Sequence, residues 1–473
     1  MTLQQELGRR VFDGFGFSSR SASLFVRPES PEELAGLLRR AGEEGQTVGL
    51  RGSGRSYGDA AMNGGNIVLD VTGMKKILSW DPAAGIIEVE PGVTIEQLWR
   101  STLADGWWPA VVPGTMFPTL AGCAAMNVHG KNHFKVGGTG DQILDADLVL
   151  PTGERKRISR EENSELFHGA IAGFGMLGAF SRIRLKLKKV EGGRLKVRQI
   201  PARSLDHQFD LIDEHTPNSD YFVTWVDCIK GGSSLGRGQV HQAVYTHDND
   251  DPAGKGLLDP VRQDLPGHIL GVPKSMVGII LKLFRFNTGM AMLNMGKYLA
   301  SELSPRSWYL QGHVAFAFLL DYVPNFRSAY EPEGFIQYQP FVPKEHAREV
   351  FKKILRLQQA RGLPSYLGVM KRHRADNFLL SHAVDGYSFA MDFAVTRSNR
   401  AELWQLCHDM SEIVLEAGGR FYPAKDAVLR PQDFQRAWGQ ERISRFRALR
   451  QQVDPQRVLR TEWAARVGVD ERT

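Results

Sequence analysis

The chain has 473 residues, of which 42% are hydrophobic and 24% charged, which excludes a largely disordered protein and is too long for one simple core, so two or three domains are expected. A formal charge of +6 suits an anionic ligand or a membrane surface, but no clustered basic stripe, zinc-finger or RNA-binding signature accompanies it, which argues against nucleic acid. Cys123, Cys228 and Cys407 form no CxxC pair, and the chain shows neither a signal-peptide apolar region nor a run of about 18 apolar residues, so a cytoplasmic protein with reduced thiols is the expectation.

In chain order, "SPEELAGLLRRAGEEG" predicts a helix with Ser30 as N-cap, Pro31 at the first position and Glu33 closing a capping box. Thr47–Leu50 predicts a strand that runs into "RGSGRSYGDAAMNGG". Asn66–Val71 and Gly85–Gly92 predict further strands, and "TIEQLWRSTLADG" predicts a helix capped by Thr94 and Gln97. This alternation reads as α/β or α+β. Arg182–Val190 is an alternating basic strand that looks like a domain edge. Beyond about residue 195 glycine thins out and aromatic strands appear: "YFVTWVDCI", "HVAFAFLLDYV", "GFIQYQPFV" and "YSFAMDFAV". They predict one large antiparallel sheet, with helices over "PKEHAREVFKKILRLQQARG" and "RAELWQLCHDMSEIVLEAGG". Near residue 415 the texture of the first part returns. The segment Gly267–Leu303 is apolar and methionine-rich, with Lys274, Lys282, Arg285 and Lys297 interspersed. It reads either as a buried connector or as an amphipathic element lying on a membrane or over a lipid tail.

Three glycine-rich blocks carry the chemistry. Around Gly52, Gly54 and Gly58, bare backbone lets N–H groups approach an anion, with Arg51 or Arg55 adding charge; a plain tight turn is the competing reading. The block is neither a Walker A loop nor a Rossmann fingerprint. "GFGMLG" at Gly173–Gly178 is a formal GxGxxG, but it precedes a strand, so it is not read as a dinucleotide site. In "HGKNHFKVGGTGD", His129 and His133 are four apart with Gly130 between them and no acidic ligand, so no metal site is expected. His129 and Lys131 read as pocket residues, with His129 a donor or proton carrier beside a bound ring, or else a loop histidine satisfied by backbone. Lys425, just past an aromatic strand, is either a surface residue or a fixed charge where negative charge develops. Three separated loops imply a long phosphate-bearing cofactor, most simply a redox one.

Together, "RGSGRSYGD", "PGTMFPTLAGCAAMNVHGKNH" and "QQVDPQRVL" resemble the FAD-linked oxidoreductases of the vanillyl-alcohol-oxidase type. "GRSYGDAAMNGG", "VHGKNH", "GFIQYQ", "GGRFYPAKD" and "VDPQRV" are similar to the decaprenylphosphoryl-β-D-ribose oxidase group, nearly end to end and in order. The resemblance implies an α+β fold: a PCMH-type FAD-binding domain of residues 1–193, completed by 415–473, with a substrate domain at 194–414 built on a large antiparallel sheet. It implies FAD contacts from Arg51, Gly52, Ser53, Gly54, Arg55, Ser56, Tyr57, Gly58 and Asp59. Further contacts are implied from Gly114, Thr115, Thr119, Gly122, Cys123, Asn127, His129, Gly130 and Tyr422.

In that family a hydride passes from a sugar carbinol carbon to flavin N5. The resemblance makes Lys425, His129 and Lys371 catalytic and puts Trp225, Gln337, Gln339 and Lys131 on the substrate. Arg55 stands where wider relatives carry a histidine bonded to FAD, so non-covalent FAD is implied. Ala390 and Ala317 stand where a cysteine and a tyrosine are expected, which alters the pocket wall. The implied activity is oxidation of the 2-hydroxyl of a polyprenyl-phosphate-linked ribose, giving a 2-keto sugar that a partner short-chain reductase converts to arabinose. Peripheral contact with the inner membrane surface through 267–303 goes with it. The alternatives are an FAD oxidase of a soluble alditol or sugar lactone, and a flavin-free scaffold that binds a polyprenyl-linked glycan.

Overall fold

Three large sheets organise the chain in the computed structural model, which describes residues 2–470 apart from 248–250, 252, 266, 270–271, 305 and 324–325. The first sheet has four strands in the order Arg9–Asp13, Arg20–Val26, Ile67–Asp70 and Val48–Arg51. The last three run parallel, and the glycine-rich block is the connection between Val48–Arg51 and Ile67–Asp70. The predicted helix spans Pro31–Glu43, where the Ser30 hydroxyl accepts from the Glu33 N–H at 3.1 Å. The Glu33 carboxylate accepts from the backbone of Glu29, not Ser30, so the expected reciprocal box is displaced by one residue. Thr94 and Gln97 form the box as expected at the start of helix Ile95–Thr102.

The second sheet is antiparallel, in the order Ile77–Asp81, Ile86–Val89, Ala179–Lys186, Ile143–Val149 and Arg155–Ser159. The basic segment divides: Ala179–Lys186 lies in the middle of this sheet, and Lys188–Lys189 pairs separately with Trp107–Trp108. The arginines of Ala179–Lys186 are tolerated there because carboxylates on both neighbouring strands meet them: Arg182 bonds Asp145, Asp147 and Glu88 at 2.6–2.9 Å.

The third sheet has nine antiparallel strands. Its path runs Tyr309–Gly312, Arg194–Ala202, Gly238–Tyr245, Tyr221–Val226, Leu367–His373, Gly386–Ala394, Pro340–Pro343 and Arg420–Phe421, with Phe335–Tyr338 also pairing with Gly386–Ala394. Helices Lys344–Ala360 and Arg400–Glu416 form as predicted and pack on it. One expectation fails. "HVAFAFLLDYV" is helix His313–Ala317 followed by a 3-10 turn at Leu319–Asp321, not a strand. A short apolar run does not distinguish a buried helix from a buried strand, and here the Lys131 ammonium caps the carbonyls of Phe316 and Ala317.

Within Gly267–Leu303, residues 270–271 lie outside the described residues. The remainder includes the short antiparallel pair His268–Ile269 and Val272–Pro273 and then helices Lys274–Leu283 and Asn287–Leu303. The C-terminal tail returns to the first sheet, where the Val48 N–H donates to Val458 and Arg460 donates back to Val48.

Candidate functional site

A cavity of about 750 Å³ lies between the glycine-rich block, the Pro113–Thr119 loop and the nine-stranded sheet. Glycine is needed in the block largely because protein packs against it. A Cβ on Gly52 would lie 2.2 Å from the Thr119 hydroxyl, and one on Gly58 would lie 2.2 Å from the Asp426 carbonyl oxygen. Gly54 has φ +66°, which glycine adopts without strain. Thr119 caps helix Leu120–Ala125, accepting from the Gly122 N–H. The Thr115 hydroxyl donates to Asp321 at 2.7 Å, which ties this loop to the 3-10 turn.

The cavity wall brings together most of the predicted residues: Arg51, Gly52, Ser53, Gly54, Arg55, Ser56, Tyr57, Gly114, Thr115, Thr119, Gly122, His129 and Tyr422 at one end. Lys131, Trp225, Gln337, Gln339, Lys371 and Lys425 join them from the sheet side. Five predicted residues stand behind the wall instead. Gly58 packs on Asp426. Asp59 forms a two-point ion pair with Arg466, which also holds Asp426. Cys123 is fully buried, and burial pushes its thiol up to about 12. Asn127 donates to Asp376 and accepts from the Gly140 N–H, and Gly130 leaves room for Asn132. Lys131 reaches the wall, but its ammonium is spent on the Phe316 and Ala317 carbonyls.

Six cationic side chains line the cavity (Arg51, Arg55, Lys131, Lys297, Lys371 and Lys425), and no aspartate or glutamate does so among the described residues. The Lys425 ammonium lies 3.6 Å from the centre of the Tyr57 ring. Burial lowers its pKa and Lys371 lowers it further, while Asp392 opposes both. Asp392, fully enclosed behind the wall, is itself pushed up by burial and receives the Gln337 amide. Burial lowers Lys371 to about 8. His129 is held well below the usual imidazole range, first by burial and then by Lys371 and its histidine neighbours. Its Nε2 meets the Gln339 amide nitrogen at 3.1 Å, so the neutral ring carries its proton on Nδ1, which is buried without a protein partner. His129 and His133 have ring centres 6.2 Å apart, nearly perpendicular.

Sequence reasoning missed several wall residues. The Gly173–Gly178 turn is no Rossmann loop, yet Phe174, Gly175 and Gly178 line the cavity, with Phe174 and Gly175 at φ 59° and 74°. The formal motif was the signal. Gln199, Gln239, His241 and Lys297 were missed because only sheet pairing and a distant helix bring them here. His373 and His382 pack around Phe341 beside His129, and no local pattern marks them.

The wall fits a long ligand with an anionic part and a ring part. Arg55 Nε, the Tyr57 hydroxyl and His129 Nδ1 are buried and unpartnered along it. Residues 22–159 match the FAD binding domain family, and residues 335–467 match the D-arabinono-1,4-lactone oxidase family. The chain is 30% identical to decaprenylphosphoryl-beta-D-ribose oxidase of Mycolicibacterium smegmatis, over 96% of each chain. It is 23% identical to L-gulono-1,4-lactone dehydrogenase of Mycobacterium tuberculosis, over 94% of this chain and 96% of that one.

Proposed function

The chain belongs to the family of FAD-dependent oxidoreductases that includes decaprenylphosphoryl-β-D-ribose oxidase, and from that premise we propose that it oxidises the 2-hydroxyl of a polyprenyl-phosphate-linked ribose. One observation supports this substrate over a soluble polyol. The cation-lined cavity reaches from the glycine-rich block to helices Lys274–Leu283 and Asn287–Leu303, which supply Val277 and Lys297 to its wall and turn apolar side chains outward. Twelve of the sixteen large hydrophobic residues exposed on the described surface fall between Met276 and Leu319. An exposed apolar surface of this kind fits a lipid or protein contact, and its position beside the cation-lined cavity favours lipid. No helix among the described residues is long and apolar enough to cross a membrane, so this contact is proposed as peripheral, at the inner membrane surface.

FAD, when bound, supplies the hydride acceptor. We assign its binding to Gly52–Tyr57, Gly114, Thr119, Gly122 and Tyr422, an assignment supported by their lining the cavity. Arg55, whose guanidinium lies over the Phe15 and Phe117 rings, has no chemistry for a covalent flavin bond, so the cofactor is held non-covalently at this position. Lys425 places a cation where electron-rich charge builds up, in a site whose low dielectric strengthens its effect. His129 holds a proton at Nδ1, ready to donate to a ring or hydroxyl oxygen. Lys371, Gln337 and Gln339 present further donors from the sheet to orient the sugar. The 2-keto product is a substrate for a partner short-chain reductase that completes epimerisation to arabinose.

Product analysis tests the proposal. Turnover of farnesylphosphoryl-β-D-ribose followed by borodeuteride trapping is expected to put deuterium at C2 alone. Label elsewhere, or turnover of only L-gulono-1,4-lactone or an alditol, overturns it in favour of the soluble-substrate reading that the lactone-dehydrogenase relative supports.

A further inference from the structure

Helix Asn287–Leu303 reverses the usual pattern of a surface helix. Met292, Met295, Leu299 and Leu303 recur at three- and four-residue spacing and are 64%, 38%, 52% and 87% exposed. The opposite stripe holds Met290, Asn294 and Ser301, all buried, with Lys297 between the last two. Its register is pinned: the Asn294 amide donates to Asp227 at 2.9 Å, and Asp227 also pairs with Arg237 at 3.1 Å. One turn further, this fixes the Lys297 ammonium 4.1 Å from the centre of the Trp225 ring, inside the cavity. Lys297 has no ion-pair partner among the described residues. The groups beside it are neutral: His241, lowered to about 3 chiefly by burial, and the Gln239 amide it contacts at 3.1 Å. Lys297 lines the cavity while its side chain stays exposed, so its ammonium is open to a counter-charge that a ligand brings.

We infer that Lys297 is the residue that recognises the phosphate of a lipid-linked sugar, an assignment that deepens the substrate proposed above and rests on it. The helix sets a cation on its cavity side and an apolar stripe on its outer side, matching an anionic phosphodiester joined to a polyprenyl chain. Trp225 provides a flat wall against which the ammonium rests, and Lys297, Lys425 and His129 line one cavity, in which the sugar joined to that phosphate would lie. Hydrogen bonds from an ammonium to a phosphate are among the stronger ones a side chain makes.

The test uses the full-length FAD-loaded protein and farnesyl phosphate, with farnesol and inorganic phosphate as comparison probes, each read as an inhibition constant against farnesylphosphoryl-β-D-ribose. Lys297→Gln is expected to weaken farnesyl phosphate by about 10-fold or more, while Lys297→Arg stays within about 3-fold of the parent. Farnesol, which lacks the charge, is expected to bind all three proteins alike. The loss in Lys297→Gln is expected to fall mainly on KM. Equal inhibition constants for farnesyl phosphate in the parent and in a Lys297→Gln protein with unchanged melting temperature and flavin content overturn the inference. Inhibition by inorganic phosphate that matches farnesyl phosphate and depends equally on Lys297 overturns the lipid assignment and points to a free phosphate. A parent protein that does not oxidise the lipid-linked sugar at all sinks the proposed function, and Lys297-dependent binding of farnesyl phosphate, read directly by calorimetry, separates that failure from this one.

Discussion

Replacing Asp392 by asparagine removes the one carboxylate that opposes the lowering of Lys425 by burial and by Lys371. Asparagine keeps the shape and can still meet the Gln337 amide, so the change is chiefly one of charge. A unit charge close enough to shift a buried lysine, acting through an effective dielectric constant of about 20, contributes on the order of 1–3 kcal/mol, or about 1–2 pK units. The sign follows from which form is needed. Lys425 works as a cation, so activity is present below its pKa and lost as pH rises through it. Asp392 raises that pKa, and its removal moves the high-pH limb to lower pH. The assay is the rate of anaerobic flavin reduction by farnesylphosphoryl-β-D-ribose across the pH range, for the parent and Asp392→Asn. A limb that stays in place or moves upward refutes the coupling and removes Lys425 from its electrostatic role. Lys425→Met gives the companion value: loss of a preorganised charge at the reacting centre is expected to cost about 10²–10³ in rate below the Lys425 pKa, and the difference from the parent is expected to shrink as pH rises through it.

Gly58→Ala is expected to destabilise the protein by about 1–3 kcal/mol, read by chemical denaturation, because its Cβ would meet the Asp426 backbone oxygen at 2.2 Å and neither segment is free to move away. Leu299→Glu puts charge on the outward stripe without touching the cavity wall. Cosedimentation with phosphatidylglycerol vesicles is expected to fall several-fold, with the melting temperature within a degree or so of the parent. Retained vesicle binding would locate the membrane contact elsewhere.

Where the chain's own local chemistry decides, the sequence was a good guide. Thr94 and Gln97 cap their helix as their spacing requires, and the glycines at 52, 54 and 58 mark backbone that must stay bare, although at 52 and 58 protein packing alone already forbids a side chain and Gly58 does not reach the cavity. Resemblance to the family supplied the α+β architecture and the FAD assignment, and the matched families support both. What was not legible depends on contacts far apart in sequence. At helix His313–Ala317 the last carbonyls are satisfied by Lys131, some 180 residues earlier, a partner no local pattern announces. Asp59 reads as a loop acid beside the cofactor until Arg466 is placed next to it. Lys297 was visible only as one basic residue in an apolar stretch, since nothing local says which face of its helix is turned inward. The Gly173–Gly178 turn has no helix after it. That counts against a Rossmann fold but says nothing about whether the turn lines a different cavity.

The most direct test of the account is the visible spectrum of the FAD-loaded protein, recorded without air before and after adding farnesylphosphoryl-β-D-ribose. The account predicts that the lipid-linked sugar bleaches the flavin band, while ribitol and L-gulono-1,4-lactone at the same concentration leave it in place. A band that the lactone or the alditol bleaches and the lipid-linked sugar does not would contradict it.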